Sequence, residues 1–401
     1  MLILLLIFIV ADFRLNKKIF TPAIIFNGIF FVTLFLYYLN LSYIQQPLSA
    51  DTKGCLWLSV LAYNFVVFVY YLTHAKIRKD DFVHFNDFYT FGISNDALFI
   101  ARLVVLVVFF AEVVYSRGFP LMWKLTGSSL TYFDFGIPSV NGAFCGLVMI
   151  LGAYTLTQKG VDKYIYIGIG VLIISRQVIV SIVIEGLVFK LITSRKKIKR
   201  LFLKLFALAV VGITAFAIIG NFRTGTEDFL KVGQFKPEYD YIPVSVKWIY
   251  SYMCFSLSNF DNLVSMTGGF ENFGASSLNE LFPSVLTDFL HIKQNAEYYY
   301  LISPNFTAST CYPEIYLDFG MFGIALHCFL IALIAVWSFE NFTKNGNVKY
   351  AMIYAVIVHN ILMFFFNNMF LYLPVVSQFV YAALLFSKRR TVDANRLSER
   401  L

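Results

Sequence analysis

Charge is what this sequence has least of. Only 14% of its 401 residues are charged, against 59% hydrophobic and 18% aromatic. So few charges cannot cover a soluble domain of this length. Cysteine is scarce too: five in all, with no C-x-x-C and no Cys/His spacing. That excludes a zinc motif and a disulfide framework, so no metal is expected. Cys254 and Cys311 could pair only if both face an oxidising compartment. The opening residues, MLILLLIFIVADF, lack a basic leader and a small-residue cleavage site, and read as a first short membrane helix rather than a signal peptide. There is no Rossmann or Asp-x-Asp signature, no low-complexity tract, no internal repeat and no linker to a soluble domain. Residues 1–401 therefore read as a single membrane domain with no cofactor.

What is present is a series of apolar runs near twenty residues long, the length that spans lipid as a helix. They lack the alternation of a membrane barrel. The fold class is all-α, a polytopic helical membrane bundle. Helices are expected over 1–13, 19–40, 54–74, 97–116, 138–157, 163–175, 177–194, 201–220, 313–338, 350–366 and 370–387. The net charge of +8 comes from clusters in short connections: RLNKK (14–18), KIRK (76–79), QKGVDK (158–163), RKKIKR (195–200), KNGNVK (344–349) and SKRR (387–390). Such clusters mark cytoplasmic loops and give no reason to expect nucleic acid. Placing all six inside yields about eleven crossings, with the N-terminus out and the C-terminus in.

Between QKGVDK and RKKIKR the chain must cross and return within about thirty residues. Each leg then reaches about 23 Å at 1.5 Å per residue, short of a hydrocarbon core of about 30 Å. The tip, Ser175-Arg176-Gln177, is expected below the outer surface, in a protein-lined recess. Residues 221–312 form the one long outer loop and carry an acidic excess. Within it, 244–266 is apolar but holds Lys247 and Asp261, and reads as an amphipathic helix on the outer membrane face. SSLNE (276–280) has the form of a capping box, with a helix expected near Leu278 and limited by Pro283.

Arg223, three residues beyond the apolar run that ends at Gly220, and Arg176 both map to the outer side. A guanidinium grips phosphate oxygens with two parallel hydrogen bonds and keeps its charge when half-buried. The plainer roles are an interfacial anchor for Arg223 and an ion pair with Glu185 for Arg176. Glu314 and Asp318, four residues apart, share a helix face near the outer surface, where a carboxylate can deprotonate a hydroxyl. Equally, one of them could balance an arginine. His291, the one histidine in the outer loop, is the other candidate base; His327 and His359 read as packing or hydrogen-bonding residues. EYYYLISPNF (297–306) offers aromatic faces and the Asn305 amide, suited to sugar rings, although an interfacial aromatic belt explains the tyrosines as well.

The stretches GFPLMWKLTGSSLTYFDFGIPSVNG (118–142), LIISRQVIV (172–180), GNFRTG (220–225) and EIYLDFGMFG (314–323) occur in the order found in bacterial O-antigen and capsule repeat-unit polymerases, and the chain resembles that family along nearly its whole length. The resemblance implies a glycosyltransferase of the bacterial inner membrane, active at its periplasmic face. It would transfer a glycan chain from undecaprenyl pyrophosphate onto a new lipid-linked repeat unit. A chain-length regulator and a flippase of the same pathway are candidate partners besides the bilayer. Arg176 and Arg223 would hold the pyrophosphate, and Glu314, Asp318 or His291 would take the acceptor proton. Asn221, Tyr132, Asn141, Asn305 and Tyr312 are the candidate substrate-binding residues. An O-antigen ligase uses the same donor with another acceptor. A lipid-linked oligosaccharide flippase is the rival from a different class, and its charges should line a path near the bilayer midplane.

The basic connections generate a test. Cysteines placed near residues 196 and 346 should resist a membrane-impermeant thiol reagent in intact cells, and cysteines placed within 221–312 should react. Labelling at the first two positions would overturn the inside-outside assignment.

Overall fold

The computed structural model describes residues 1–16, 20–73, 93–158, 160–193, 225–292, 300–345 and 347–386. All of its regular structure there is helical; one isolated bridge pairs Ser42 with Phe235. The long helices are α1 (Leu2–Asn16), α2 (Pro22–Leu39), α3 (Ala50–Thr73), α4 (Asn95–Tyr115), α6 (Val140–Leu156), α7 (Asp162–Leu172), α8 (Arg176–Thr193), α14 (Pro313–Asn345), α15 (Val348–Leu362) and α16 (Leu373–Leu385). Each falls on one of the helical stretches expected above; the expected helix over 201–220 lies outside the described residues. Four of them, α2, α3, α4 and α14, are long and apolar enough to cross a membrane, and α6, α15 and α16 are shorter apolar helices. The chain is a helical membrane protein.

Contacts fix the helix directions. In the pair α6–α8, Gly152 meets Ile182 and Gly186 meets Leu156, so the two helices are parallel. Gly142 meets Leu373 and Gly146 meets Pro374 and Ser377, so α16 is parallel to α6 as well. Gly54 packs on Met321, and Ser59 bonds Cys328, which aligns α3 with α14. The N-termini of α3, α6, α8, α14 and α16 therefore share one end of the bundle. The connections α1–α2, α6–α7 and α14–α15, all carrying basic clusters, lie at the other. Reciprocal amide bonds between Asn27 and Asn64 (2.7 and 2.9 Å) lock α2 to α3 within the apolar interior.

Residues 225–292 and 300–312 pack on the first end, the former as α9 (Thr226–Gly233), α10 (Val244–Tyr250), a π-helical turn (Ser251–Phe255), α11 (Ser256–Met266), α12 (Ala275–Leu281) and α13 (Ser284–Phe289). The stretch 244–266 departs from a surface-lying amphipathic helix. Lys247, Phe255, Asn259, Phe260 and Asp261 are all buried. Its polar groups are satisfied by the protein: Asp261 accepts from the Ser49 N–H (2.9 Å) and hydroxyl (2.7 Å). Asn259 donates to the carbonyls of Phe306 and Ala308 (2.8 Å each) and accepts from the Ile302 N–H (2.8 Å). One buried amide thus stands in for a strand partner along 302–308.

Helix α14 is broken. Gly320 has φ 58° and ψ −151°, a conformation that only glycine adopts without strain. A break there frees backbone carbonyls, and the loop supplies them with donors: Leu317 O accepts from the N–H groups of Glu271 (2.7 Å) and Asn272 (3.1 Å). Gly269 lies so close that a β-carbon on it would come within 2.8 Å of Gly320 Cα. A β-carbon on Gly320 would meet the Phe270 ring at 2.8 Å. Gly320→Ala should accordingly cost about 1–3 kcal/mol from the backbone alone. It should lower the melting temperature of the detergent-solubilised protein and speed proteolysis between 267 and 292. An unchanged melting temperature would show that the break is not enforced.

Candidate functional site

Arg176 is the first residue of α8. The chain turns tightly before it, with Ile174 at φ 52° and the Ser175 N–H bonded to the Gly170 carbonyl (3.0 Å). Helix α7 has eleven residues and spans only about 16 Å. The α6–α8 register, 152 with 182 and 156 with 186, sets Arg176 level with Gly146, six positions past the start of α6 at Val140. At 1.5 Å per residue the tip sits about 9 Å below the end of α6. Beside it, Gln177 Nε2 reaches the Met369 sulfur (3.1 Å). Arg176 is half-buried and forms no ion pair or hydrogen bond among the described residues.

Glu185 is not its partner. That carboxylate is buried between α8, α15 and α16, where Oε1 accepts from His359 Nδ1 (2.8 Å) and Gln378 Nε2 (3.1 Å). The other ring nitrogen of His359 lies 3.4 Å from the Ser181 hydroxyl. This network ties three helices together and leaves the arginine nine positions upstream unneutralised.

Asp318 is fully buried and holds α12. Its Oδ1 accepts from the Ser276 N–H (3.0 Å) and its Oδ2 from the Ser277 N–H (2.8 Å). These are two of the orphan amides at the start of a helix. The residue at the cap, Gly274, has no side chain to serve them, so α14 supplies the cap from outside. The capping box expected from SSLNE is not formed: Glu280 does not reach back, and the helix begins at Ala275.

Glu314, one turn above Asp318, has Oε2 buried with no hydrogen-bond partner among the described residues. It lies within electrostatic reach of Asp318 and of Glu280 on α12. Glu280 is half-buried and likewise unpaired among the described residues, and burial pushes its carboxyl up from the ordinary 4.5. Tyr372, at the start of α16, lies within reach of Glu280, Cys145 and Tyr132. Cys145 in turn feels Glu112 on α4, whose two carboxylate oxygens are buried without a partner among the described residues. A row of titratable groups, Glu112, Cys145, Tyr372, Glu280 and Glu314, thus crosses the loop end of the bundle.

The other candidates separate. Tyr132 is exposed in a short 3₁₀ turn (Tyr132–Asp134). Asp134 fixes that turn by accepting from the Thr131 N–H (2.7 Å) and hydroxyl (2.9 Å), which hold its carboxyl below the ordinary 3.8. Asn141 donates to the Phe135 carbonyl (3.2 Å) at the start of α6. Asn305 is exposed, and His291 is exposed at φ 52° after α13. Tyr312 is fully buried against Phe260 (ring centroids 5.2 Å apart), which removes it from any glycan surface. Phe306 packs inward on Phe255 (4.7 Å), and Tyr300 is buried. All five cysteines are free, Cys254 and Cys311 included. Arg223 and Asn221 lie outside the described residues. The sequence gives Glu280 only a capping role and Glu112 none; the signal for Glu112 is a single acid inside an apolar run.

No protein family, curated protein or solved structure matches the chain.

Asp318→Ala should release α12 at a cost of about 0.5–2 kcal/mol, the loss of a helix cap. Asp318→Asn, which keeps one acceptor oxygen, should fall between it and wild type. Limited proteolysis of the solubilised protein reads this directly, and equal cleavage rates for the three proteins would exclude the capping role.

Proposed function

We propose that this protein is a membrane glycosyltransferase that polymerises lipid-linked oligosaccharide repeat units, with residues 221–312 facing the periplasm of a bacterial inner membrane. The observation that carries the reading is Arg176: a recessed arginine, unpaired among the described residues, at the bundle end where the loop docks and unpaired carboxyl groups gather. An unneutralised charge at such a position costs several kcal/mol unless a ligand compensates it, and a lipid pyrophosphate offers opposite charge at that depth. Helix N-termini directed to the same end favour an anion further.

In this mechanism Arg176 and Arg223 grip the pyrophosphate of the donor. Glu314 takes the proton of the acceptor hydroxyl. The hydroxyl oxygen bonds to the anomeric carbon of the donor chain, and the bond from that carbon to the pyrophosphate oxygen breaks. The electron pair leaves on the lipid pyrophosphate, whose growing charge the guanidinium groups stabilise. Glu314 is favoured over Asp318, whose two oxygens are occupied by amides, and over His291, which stands exposed beyond α13. The clustering of these groups at one end favours a polymerase or a ligase over a transporter with a midplane path.

Deletion in the parent strain, followed by a gel of surface polysaccharide, tests the reading. Loss of a polymerase leaves single repeat units on the surface, whereas loss of a ligase or flippase leaves none. Complementation with Arg176→Ala or Arg223→Ala should remove long chains, with chain extension falling about 10²–10³-fold, the usual cost of one such donor. Lysine should rescue either position poorly, because a point charge cannot replace the planar fork. Normal long chains from Arg176→Ala would sink the clamp.

A further inference from the structure

Glu280 has no role in the mechanism above, yet its position is the most constrained in the loop. Helix α12 is clamped to α14 at three successive places: Gly269 against Gly320, the Leu317 carbonyl on the amides of Glu271 and Asn272, and Asp318 on those of Ser276 and Ser277. The clamp fixes the Asp318 end of the turn that carries Glu314. Ser277 and Glu280, three residues apart, share one face of α12. The Ser277 hydroxyl is buried there without a hydrogen-bond partner, as is Oε2 of Glu314 across the junction. Such orphaned buried oxygens in a docked interface point to a ligand or a proton that occupies it.

We propose that Glu280 is the proton partner of Glu314: the two carboxyl groups share one proton, and Glu280 sets the pH at which Glu314 can accept the proton of the acceptor hydroxyl. This rests on the polymerase reading. Two carboxylates in reach of each other do not both ionise readily, so the pair passes through a singly protonated state. In that state the less buried Glu280 carries the charge and holds the remaining proton on Glu314, which becomes the base only when that last proton leaves. After transfer the accepted proton passes from the pair to water, and the cycle restores the starting form. The charged and titratable groups within electrostatic reach of the pair are Asp318 on α14, Tyr372 at the head of α16 and Cys311 just before α14. None is cationic, so nothing among them neutralises the second carboxylate.

Burial raises the Glu280 carboxyl in the folded state. Below about 4.5 folded and unfolded chains both carry the proton, and no cost arises; as pH rises above that, the unfolded chain ionises first and the fold is penalised. Glu280→Gln should therefore be more stable than wild type at pH 7, and the gain should vanish below pH 4.5. A merely structural Glu280 would show this and nothing more.

The deciding experiment uses the full chain in nanodiscs with purified lipid-linked repeat units and measures kcat/KM for chain extension against pH. A carboxyl freed from a like-charged neighbour ionises at lower pH. Glu280→Gln should shift the acid limb of the profile down by about one pH unit and lower the plateau about three- to tenfold, because the base is weaker. Glu280→Asp should restore the limb towards wild type. An acid limb that coincides with wild type in Glu280→Gln, with the protein folded, overturns the proposal and leaves the polymerase reading intact. A wild-type protein that extends no chains overturns both.

Discussion

A helix at the edge of a bilayer cannot be interrupted without satisfying the backbone groups that the interruption exposes. The break at Gly320 is that constraint here. Leu317 offers its carbonyl to the loop, Asp318 its carboxylate, and the backbone at Gly269 can approach only because neither glycine carries a side chain. The loop is therefore not a tether between two membrane helices. Part of it is the missing turn of α14, supplied from 41 to 51 residues upstream in a form that also starts α12. Everything carried on α12, Glu280 first, is placed by that break.

Charge pairing differs between the two ends of the bundle. Toward the basic end, Arg102 bonds Asp162 and Lys344 bonds Glu340, and midway along α8 Glu185 is shared by His359 and Gln378. At the loop end Glu112, Arg176, Glu280 and Oε2 of Glu314 have no partner among the described residues. The loop end is not short of pairing in general, since Asp261, Asp318 and Asp134 each collect two donors there. The unsatisfied groups are a subset, and they include the fully buried Glu112. Desolvating such groups works against folding; the Asn360 amide and His327 Nε2 are also buried without a partner among the described residues, so the loop end is set apart by whole charged side chains left unpaired, not by unsatisfied polar atoms as such.

The apolar runs made the helices legible, because lipid-spanning length and basic flanks are one-dimensional signals. Arg176 was legible for the same reason: counting residues between two basic clusters is enough to recess the tip. Its partner was not. Glu185 sits on the same helix, and only the approach of α15 and α16 shows that His359 and Gln378 already hold it. The break in α14 was hidden inside an apolar, glycine-bearing run, where nothing in composition distinguishes a left-handed glycine from a helical one. SSLNE pointed to a helix start near Leu278, three residues past the observed one at Ala275, and to the wrong acid, since local pattern cannot see a carboxylate arriving from another helix. The stretch 244–266 was read as surface-lying because Lys247 and Asp261 were expected in water; buried partners remove that cost.

Arg176 and Glu280 are held by independent devices. The arginine rides on α8, which is fastened to α15 and α16 by the Glu185 network, so its position depends on the bundle. Glu280 rides on a seven-residue helix whose start depends on one carboxylate from α14. A change at Glu185 thus reaches the arginine without passing through the glutamate pair, and a change at Asp318 does the reverse. In the proposed transfer reaction these would be the two halves of the chemistry, the leaving group on one side and the acceptor proton on the other. The fold joins them only at the head of α14, where Glu314 stands on the bundle and meets Glu280 from the loop.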